Sequence, residues 1–415
     1  MSPLVRRLMQ NPICAILALA FGLRLGFALW LGNERIYQPD EAVYVNLAKN
    51  LCAFGVFGVG AEPGADRPPG LSLLLAGLFQ LTGISILAAR ILSCIISTAS
   101  LWVLFRYGDA VFGRPVGLWA ACFGAIYPFF IYWSGMLMTE TLTIFLVLCA
   151  LHQTQKSFQG GDARSSQALL GGLLWGGAIL TRTQNILLPL ALASWVLWNR
   201  RTRANLRAAA IFLAAALFFP GAWALRNQRY LGVLTLDAHA GWTMAIRTLF
   251  HEEDNIDTGV AAAALEKTTI YKEAMALPAS RRDRALFKAS FEFIAANPGR
   301  YLLNSAHNFR ELWRFYPRLD KTVGEKSPYL GGKVLVFAVI SLMTEPWLIA
   351  LALFGAYAAW KRGLPIAPAC FFVILTTIVH TFVIAQMRYR IPMMPLVILF
   401  ACYGMSRLLK REECA

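Results

Sequence analysis

The chain has 415 residues, of which 57% are hydrophobic and only 15% are charged, and its mean hydropathy is +0.53. A soluble domain carries about 25% charged residues, so this composition, with its repeated apolar runs, excludes an ordinary soluble protein and indicates a polytopic membrane protein. The formal net charge of +16 does not call for nucleic acid as a partner, because Lys and Arg cluster beside apolar runs, as the positive-inside rule describes.

The first apolar run, Ile13–Leu31, is too long for a cleaved signal peptide and is predicted to be a retained membrane helix. Further apolar runs follow along the chain, and together they predict about 10 to 12 spanning helices. Several runs are short and bounded by Gly or Pro, which favours broken or re-entrant helices that line a cavity. If the basic segment Asn199–Arg203 and the C-terminus lie in the cytoplasm and every apolar run crosses the membrane, the connection that holds Asp40 lies inside as well. One run is therefore expected not to cross the membrane, and the candidates lie within Leu71–Phe105.

The first long hydrophilic connection, residues 32–69, contains the stretch "YQPDEAVYVNLAKN" at Tyr37–Asn50. Its apolar residues recur at helical spacing, so it predicts a short amphipathic helix along the membrane surface. Asp40 is expected to cap this helix and Gly55 to end it. The helix dipole favours an ionised carboxylate at that end.

The adjacent acids Asp40 and Glu41 have two interpretations. They are either a helix cap with a solvated neighbour, or a general base or metal-ligating pair that faces a membrane-borne substrate; a divalent cation such as Mg²⁺ or Mn²⁺ is the metal such a pair would take. Asp66 and Arg67 follow, held near the interface by a Pro pair. Arg67 either snorkels towards headgroups or binds a phosphate.

Charged residues in or beside apolar runs are costly and usually pair or face a cavity. The residues of this kind are Arg24, Arg90, Glu140, Arg182, Glu345 and His380. Arg388 and Arg390 precede a run that is predicted to start on the outer side, against the positive-inside trend. They are either interfacial anchors or ligands of a lipid phosphate.

The second long hydrophilic stretch, Arg226–Lys333, is the only part large enough for a small extracytoplasmic region. Within it, Ser280 and Asp283 resemble a capping box, and "NPG" at Asn297–Gly299 is predicted to end one helix and start an interfacial one. The predicted division is therefore a membrane module at 1–225, an outer helical region at 226–333 and further membrane helices at 334–415.

The sequence contains no Walker-type loop, dinucleotide fingerprint, zinc-spaced cluster or nucleophile elbow. The eight cysteines show no paired spacing, so neither a disulfide framework nor a zinc site is predicted. An enzyme that acts outside the cytoplasm has no nucleotide sugar or ATP, and it needs an activated donor that is already in the membrane.

Several phrases in order resemble bacterial relatives of the dolichyl-phosphate-mannose protein mannosyltransferases, glycosyltransferase families 39 and 83, which include the aminoarabinose transferase of lipid A. The phrases are "PDEAVYVNLAKNL", "RPPGLSLLLAGLFQLTG", "YPFFIYWSGMLMTETL", "LTRTQNILLPLAL", "PGAWALRNQRYLGVLTLDAHAGW", "ANPGRYLLNSAHNFRELW" and "RYRIPMMPLVIL". The chain departs from many relatives at Ala240-Gly241, where they have two glycines, and at Arg67, where several have Lys.

The resemblance implies an all-α GT-C membrane fold and an inverting transfer from a polyprenyl-phosphate sugar on the outer face of the bacterial inner membrane. It implies that Asp40 is the catalytic base with Glu41 in support, and that Arg67 binds the donor phosphate together with Arg388 or Arg390. The residues expected to support the site or line its cavity are Asp66, Arg24, Glu140, Arg182 and Arg226.

The partners implied are the lipid-linked donor, membrane lipids and an acceptor, which is lipid A, another glycolipid, a polysaccharide or a protein. No cofactor is implied with certainty, and a divalent cation stays open. Two other classes also stay open: a polyprenyl-linked transporter or flippase, which predicts an internal repeat that the sequence does not show, and a non-catalytic homologue.

Overall fold

The computed structural model describes residues 11–158, 164–199, 202–249, 258–316 and 334–412. Within these ranges the chain forms α-helices and one antiparallel hairpin, made of β1 (Gly58–Val59) and β2 (Glu62–Pro63). The predicted all-α architecture is therefore confirmed, with the hairpin as a small addition in the connection of residues 32–69. This connection is called the first outer connection after its predicted side of the membrane.

The helices of the first half are α1 (Pro12–Leu31), α2 (Pro39–Phe54), α3 (Gly70–Thr82), α4 (Ile86–Phe112), α5 (Arg114–Ile126), α6 (Pro128–Gly135), α7 (Thr139–Phe158), α8 (Ser165–Thr181) and α9 (Leu187–Asn199). Those that follow are α10 (Arg203–Leu231), α11 (Ala240–Leu249), α12 (Thr258–Glu266), α13 (Thr269–Ala276), α14 (Ala279–Ala296), α15 (Pro298–Leu312), α16 (Val334–Lys361), α17 (Ala367–Phe382) and α18 (Met394–Glu412). Two 3₁₀ turns, Thr183–Ile186 and Met387–Met393, precede α9 and α18.

In the described part of the chain, five helices are long and apolar enough to cross a membrane, or six if the bent pair α5–α6 counts as one span. The prediction of about 10 to 12 spans is therefore too high by this measure. Apolar runs counted as spans are shorter helices, such as α3, α17 and the helical stretch Thr183–Trp198. The α5–α6 pair bends by 58° where Pro128 starts a new helix.

Helix α3 has 13 residues and ends at Gly83, whose φ is +73°. At 1.5 Å per residue it is about 20 Å long, shorter than the roughly 30 Å of a bilayer core. This length agrees with the expectation that a segment within Leu71–Phe105 does not cross. Residues 200 and 201 of the basic segment Asn199–Arg203 lie outside the described ranges, so the orientation drawn from that segment stays a prediction.

Close contacts between backbones hold the long helices together. A side-chain carbon on Gly355 of α16 would lie 2.0 Å from the carbonyl oxygen of Phe400 on α18, and one on Gly404 would lie 2.5 Å from the carbonyl oxygen of Leu351. Small residues let membrane helices approach closely in this way. This packing fixes α18, and with it the 3₁₀ turn that carries Arg388 and Arg390.

The amphipathic helix α2 begins and ends near the predicted positions. Gly55 terminates it with a φ of +68°, as expected. The N-cap, however, is Gln38, and the capping box is completed by Glu41, not by Asp40. The prediction that Asp40 caps α2 is therefore wrong, and the side chain of Asp40 is left for other contacts.

Helices α11–α15, which belong to the predicted outer region, have a core of their own, formed by Ala245, Ile246, Ala261, Leu265, Ala274 and Leu286. Helix α14 ends at Ala296 and α15 starts at Pro298, as the "NPG" motif predicted. The Ser280–Asp283 capping box is wrong, because the N-cap of α14 is Pro278 without a side-chain cap. Asp283 instead accepts a hydrogen bond of 2.6 Å from the backbone N–H of Gly241 and so anchors the start of α11.

Candidate active site

Asp40 lies between two arginines that come from distant parts of the chain. Its Oδ1 is 3.2 Å from Nη2 of Arg67, and its Oδ2 is 2.8 Å from Nη2 of Arg388. The three side chains keep 29%, 21% and 22% of their surface exposed, so the cluster is open to a ligand. The structure therefore brings together the predicted base and two of the predicted phosphate ligands.

The two arginines control the charge of Asp40. Burial alone would raise the pKa of Asp40, but the charges and hydrogen bonds of Arg388 and Arg67 lower it below its usual value. Burial likewise opposes the charge of Arg67, yet Asp40 and other groups raise the pKa of Arg67. All three groups are therefore charged at neutral pH, with one negative charge between two positive ones.

Glu41 points away from this cluster into the protein and is fully buried. Successive residues of an α-helix are about 100° apart, so two neighbouring acids face different surroundings. The carboxylate of Glu41 accepts hydrogen bonds from the backbone N–H of Tyr37 (2.9 Å) and of Leu137 (3.1 Å) and lies 3.5 Å from Nη2 of Arg90. Glu41 thus ties the start of α2 to α4 and to the α6–α7 connection.

A second ion pair lies beside the first cluster. Nη2 of Arg182 is 2.6 Å from Oε1 of Glu140, and its Nε donates to Oγ1 of Thr139 at 3.1 Å. The guanidinium carbons of Arg182 and Arg388 lie 5.5 Å and 5.1 Å from the ring centre of Tyr389. One aromatic ring therefore positions an arginine from each ion pair.

The ring of Tyr389 is itself held in place by a residue of α17. His380 of α17 stacks on it with ring centres 4.7 Å apart and planes 13° apart. Tyr44 stands one helical turn after Asp40, on the same face of α2. Burial raises the pKa of Tyr44 to about 12, so this residue, which senses both ion pairs, stays an uncharged phenol.

Arg390 does not reach this cluster. It is fully buried, its Nη2 lies 2.8 Å from Oε2 of Glu345, and its Nη1 donates to the carbonyl of Arg314 at 2.6 Å. The hydroxyl of Tyr127 donates to the other oxygen of Glu345 at 2.5 Å. Of the two arginines offered by the sequence, the structure therefore places Arg388 at the site and Arg390 in an internal ion pair.

Two further predicted residues make structural contacts. Arg24 is fully buried, and it donates to the carbonyls of Gly124 and Ala125 at the C-terminal end of α5, each at 3.0 Å. Arg226 donates to the carbonyls of Phe57 (2.9 Å) and Gly64 (2.7 Å), which pins the β-hairpin to α10. Neither side chain contacts Asp40.

Asp66 is exposed beside Arg67. The preceding residue, Ala65, accepts a hydrogen bond of 2.8 Å from Ala238 of the α10–α11 connection, which also carries Asp237 and His239. Burial raises the pKa of Asp237 to about 7, opposed by the N–H of His239 and by Arg67. Burial, with Arg67, lowers the pKa of His239 to about 4. The phrase "DAH" was the available signal, but nothing in it indicates that it packs against Arg67.

The residues present do not form a ready cation site. Across the described ranges, no group of three or more His, Cys, Asp or Glu side chains is arranged to hold a metal ion. The carboxylates of Asp40 and Glu41 are taken up by arginines and backbone donors, and these groups leave no shared oxygen set for Mg²⁺ or Mn²⁺.

The helices of this chain have the GT-C glycosyltransferase fold of a multi-pass membrane protein. The model of the dolichyl-phosphate-mannose-protein mannosyltransferase family matches residues 66–223, a range that holds Arg67, Glu140 and Arg182 but neither Asp40 nor Arg388. This match confirms the predicted resemblance. No curated protein is similar enough in sequence to match the chain.

Solved structures of the same fold come from the oligosaccharyltransferase AglB of Archaeoglobus fulgidus. Its complex with an inhibitory peptide and a dolichol-phosphate superposes with a TM-score of 0.58 at 15% identity, over 97% of this chain and 51% of that one. The apo form of the Archaeoglobus fulgidus enzyme gives 0.57 at 16% identity, over 96% and 51%. The chain therefore spans about half the length of these relatives and shares their membrane fold.

Proposed function

We propose that the chain is an inverting glycosyltransferase of the bacterial inner membrane that moves a sugar from a polyprenyl phosphate to an envelope acceptor on the outer face. The observation that carries this proposal is the position of Asp40 between Arg67 and Arg388. A carboxylate can accept a proton, and two guanidinium groups suit a phosphate. The family match and the dolichol-phosphate in the AglB complex support a lipid-linked donor.

The chemical step assigns each group one role. The acceptor's hydroxyl or amine attacks the anomeric carbon, and the bond from that carbon to the phosphate oxygen breaks with its electron pair on the phosphate. Asp40 takes the proton that the acceptor loses. Arg67 and Arg388 stabilise the negative charge that develops on the leaving polyprenyl phosphate.

The proposal also implies an order of these events. Both carboxylate oxygens of Asp40 are occupied by the arginines that the donor phosphate needs. A bound phosphate competes for these guanidinium groups, and its arrival frees the lone pairs of Asp40. Asp40 also loses the positive charges that hold its pKa low, so donor binding turns a weak base into a stronger one. The donor therefore binds before the acceptor is activated.

The test is an assay of purified protein in lipid vesicles with a panel of polyprenyl-phosphate monosaccharides that carry a radiolabelled sugar. The proposal predicts that label leaves the lipid for water or for an added envelope extract, and that polyprenyl phosphate accumulates. Movement of intact labelled lipid between leaflets would instead identify a flippase. Binding without bond cleavage, by protein of native stability, would identify a non-catalytic homologue. Either result would overturn the proposal.

A further inference from the structure

The α10–α11 connection, residues 232–239, is fastened to the first outer connection next to Arg67. The N–H of Ala238 donates to the carbonyl of Ala65 at 2.8 Å. Trp223 and Asn227 of α10 hold the connection from behind by donating to the carbonyls of Leu236 (3.1 Å) and Thr235 (2.8 Å). The connection is thus a fixed wall of the site.

His239 is locked into this wall from both sides. Its backbone N–H donates to Oδ1 of Asp237 at 2.8 Å, and the N–H of Asp237 donates to Oγ1 of Thr235 at 3.2 Å. Its ring lies against Trp242, with ring centres 4.1 Å apart and planes 34° apart. The bond to Asp237 fixes the backbone of His239, and the contact with Trp242 restricts the orientation of its ring.

One of these nitrogens is left without a partner. Among the described residues, no group hydrogen-bonds Nε2 of His239, although that atom is shielded from solvent. A buried polar atom without a partner costs about 1–3 kcal/mol, and such atoms in native proteins call for an explanation. The preceding residue, Ala238, is hydrogen-bonded to Ala65, two positions before Arg67, so His239 lies near the proposed reaction centre.

The charges around His239 indicate which part of a substrate it meets. Arg67 and Arg388 contact Asp40 and form the proposed phosphate side of the site. Asp237 instead accepts a hydrogen bond from the backbone N–H of His239, so an acidic group lies next to this residue. Acidic groups repel a phosphate but accept the hydroxyls of a sugar. His239 is uncharged at neutral pH, because burial keeps its pKa near 4, and a neutral imidazole suits an uncharged hydroxyl.

We propose that His239 binds a hydroxyl of the transferred sugar through Nε2, and that two residues position it: Asp237, which holds its backbone, and Trp242, which lies against its ring. This inference rests on the proposed function, because it assumes that a donor phosphate occupies Arg67 and Arg388. The contact forms when the phosphate draws Arg67 away from Asp40 and the attached sugar comes to lie against the α10–α11 connection.

The test compares the affinities of two lipids for the full-length protein in nanodiscs. One lipid is bare polyprenyl phosphate, and the other is the polyprenyl-phosphate monosaccharide that the wild type binds most tightly in a panel. The ratio of the two dissociation constants measures what the sugar adds. His239→Ala is expected to reduce this ratio by about two- to tenfold, the range for one lost hydrogen bond. His239→Gln, which keeps a hydrogen-bonding head, is expected to restore part of it.

His307→Ala is the matched control, since it changes another histidine of the outer region and should leave the ratio unchanged. An unchanged ratio in His239→Ala protein of wild-type thermal stability overturns the assignment of His239 and leaves the proposed function intact. A wild type for which no sugar improves binding also overturns it. Failure of the wild type to bind bare polyprenyl phosphate contradicts the proposed function itself, so the two failures are distinguishable.

Discussion

Asp40 and Arg388 are 348 positions apart in the chain, yet Oδ2 of Asp40 lies 2.8 Å from Nη2 of Arg388. The first residue belongs to the surface helix that follows the first membrane helix, and the second to the 3₁₀ turn that opens the last one. The proposed site therefore forms only when these two distant segments fold together. The charge of Asp40 depends on this contact, because Arg388 is one of its two cationic partners.

If Arg67 and Arg388 bind the donor phosphate, replacing either one should weaken the binding of polyprenyl phosphate. Arg67→Met and Arg388→Met should each weaken binding of polyprenyl phosphate about tenfold or more, because each removes a charged hydrogen-bond donor. Titration in nanodiscs measures this change. Arg229→Met, which changes an exposed arginine of α10, is the control and should bind as the wild type does. Wild-type affinity in both site variants would refute the phosphate assignment.

Variants of Arg390 are expected to lose stability and to keep phosphate binding, in contrast to variants of Arg388. Arg390→Met leaves the buried carboxylate of Glu345 without its cation, which should lower the free energy of unfolding by about 3–5 kcal/mol. The folded fraction should still bind polyprenyl phosphate normally. Denaturant unfolding in detergent measures the loss, and the double variant Arg390→Met with Glu345→Gln should recover part of it. A binding defect at unchanged stability would show that Arg390 belongs to the site.

Replacement of Glu41 is expected to lower the stability of the protein and not to remove a group that takes part in the reaction. Glu41→Ala removes the capping contact of α2 and leaves Arg90 as an unpaired buried cation, so the free energy of unfolding should fall by about 3 kcal/mol. Glu62→Ala, at an exposed position of the hairpin, is the control and should change stability little. A Glu41→Ala protein of full stability but without transfer activity would contradict this interpretation and return Glu41 to the chemistry.

The raised pKa of Asp237 predicts that donor binding changes with pH near neutrality. Burial raises its pKa to about 7, with Asp283 and Asp66 adding to the rise and with the His239 N–H and Arg67 opposing it. Below pH 7 the acid is neutral; above pH 7 it is ionised and competes with the donor phosphate for Arg67. The dissociation constant of a polyprenyl-phosphate sugar should therefore increase as the pH rises through 7.

The matched variant Asp237→Asn should flatten this dependence, because it keeps the carbonyl that accepts from His239 and loses the charge. The sugar-linked lipid is the appropriate probe, since it is a phosphodiester, whereas a bare monoester has its own second pKa near 6. An equal pH dependence in the variant and the wild type would assign the titration to another group.

The helical membrane fold was predictable, and the residues of the candidate cluster could be singled out from the sequence as candidates. Composition and apolar runs indicated the membrane. Asp40 was singled out by its acid pair, Arg67 by its place before a Pro pair and Arg388 by its departure from the positive-inside trend, and the family resemblance joined them. The number of spans was not predictable from hydropathy alone. A run such as α3 is apolar but short, and the run around Pro128 is long but bent.

The division of roles between neighbouring residues was also beyond the sequence. Either Asp40 or Glu41 could cap α2, and the choice depends on Gln38 and on the N–H of Leu137, which the fold brings from elsewhere. Arg388 and Arg390 have equivalent positions before the last apolar run of the sequence. The 3₁₀ turn that carries them directs their side chains to different partners, Asp40 and Glu345. His239 was missed because its importance comes from its contact with the first outer connection.

The central claim is that Asp40 is the base, and the transfer rate of Asp40→Asn measured beside that of Asp66→Asn tests it most directly. Both variants replace an acid of the first outer connection by its amide, but only Asp40 lies between the two arginines. We expect Asp40→Asn to lose about a hundredfold or more in the rate of transfer from a radiolabelled polyprenyl-phosphate sugar while it binds polyprenyl phosphate as well as the wild type or better. We expect Asp66→Asn to stay near the wild-type rate. Near-normal turnover by Asp40→Asn would contradict the account.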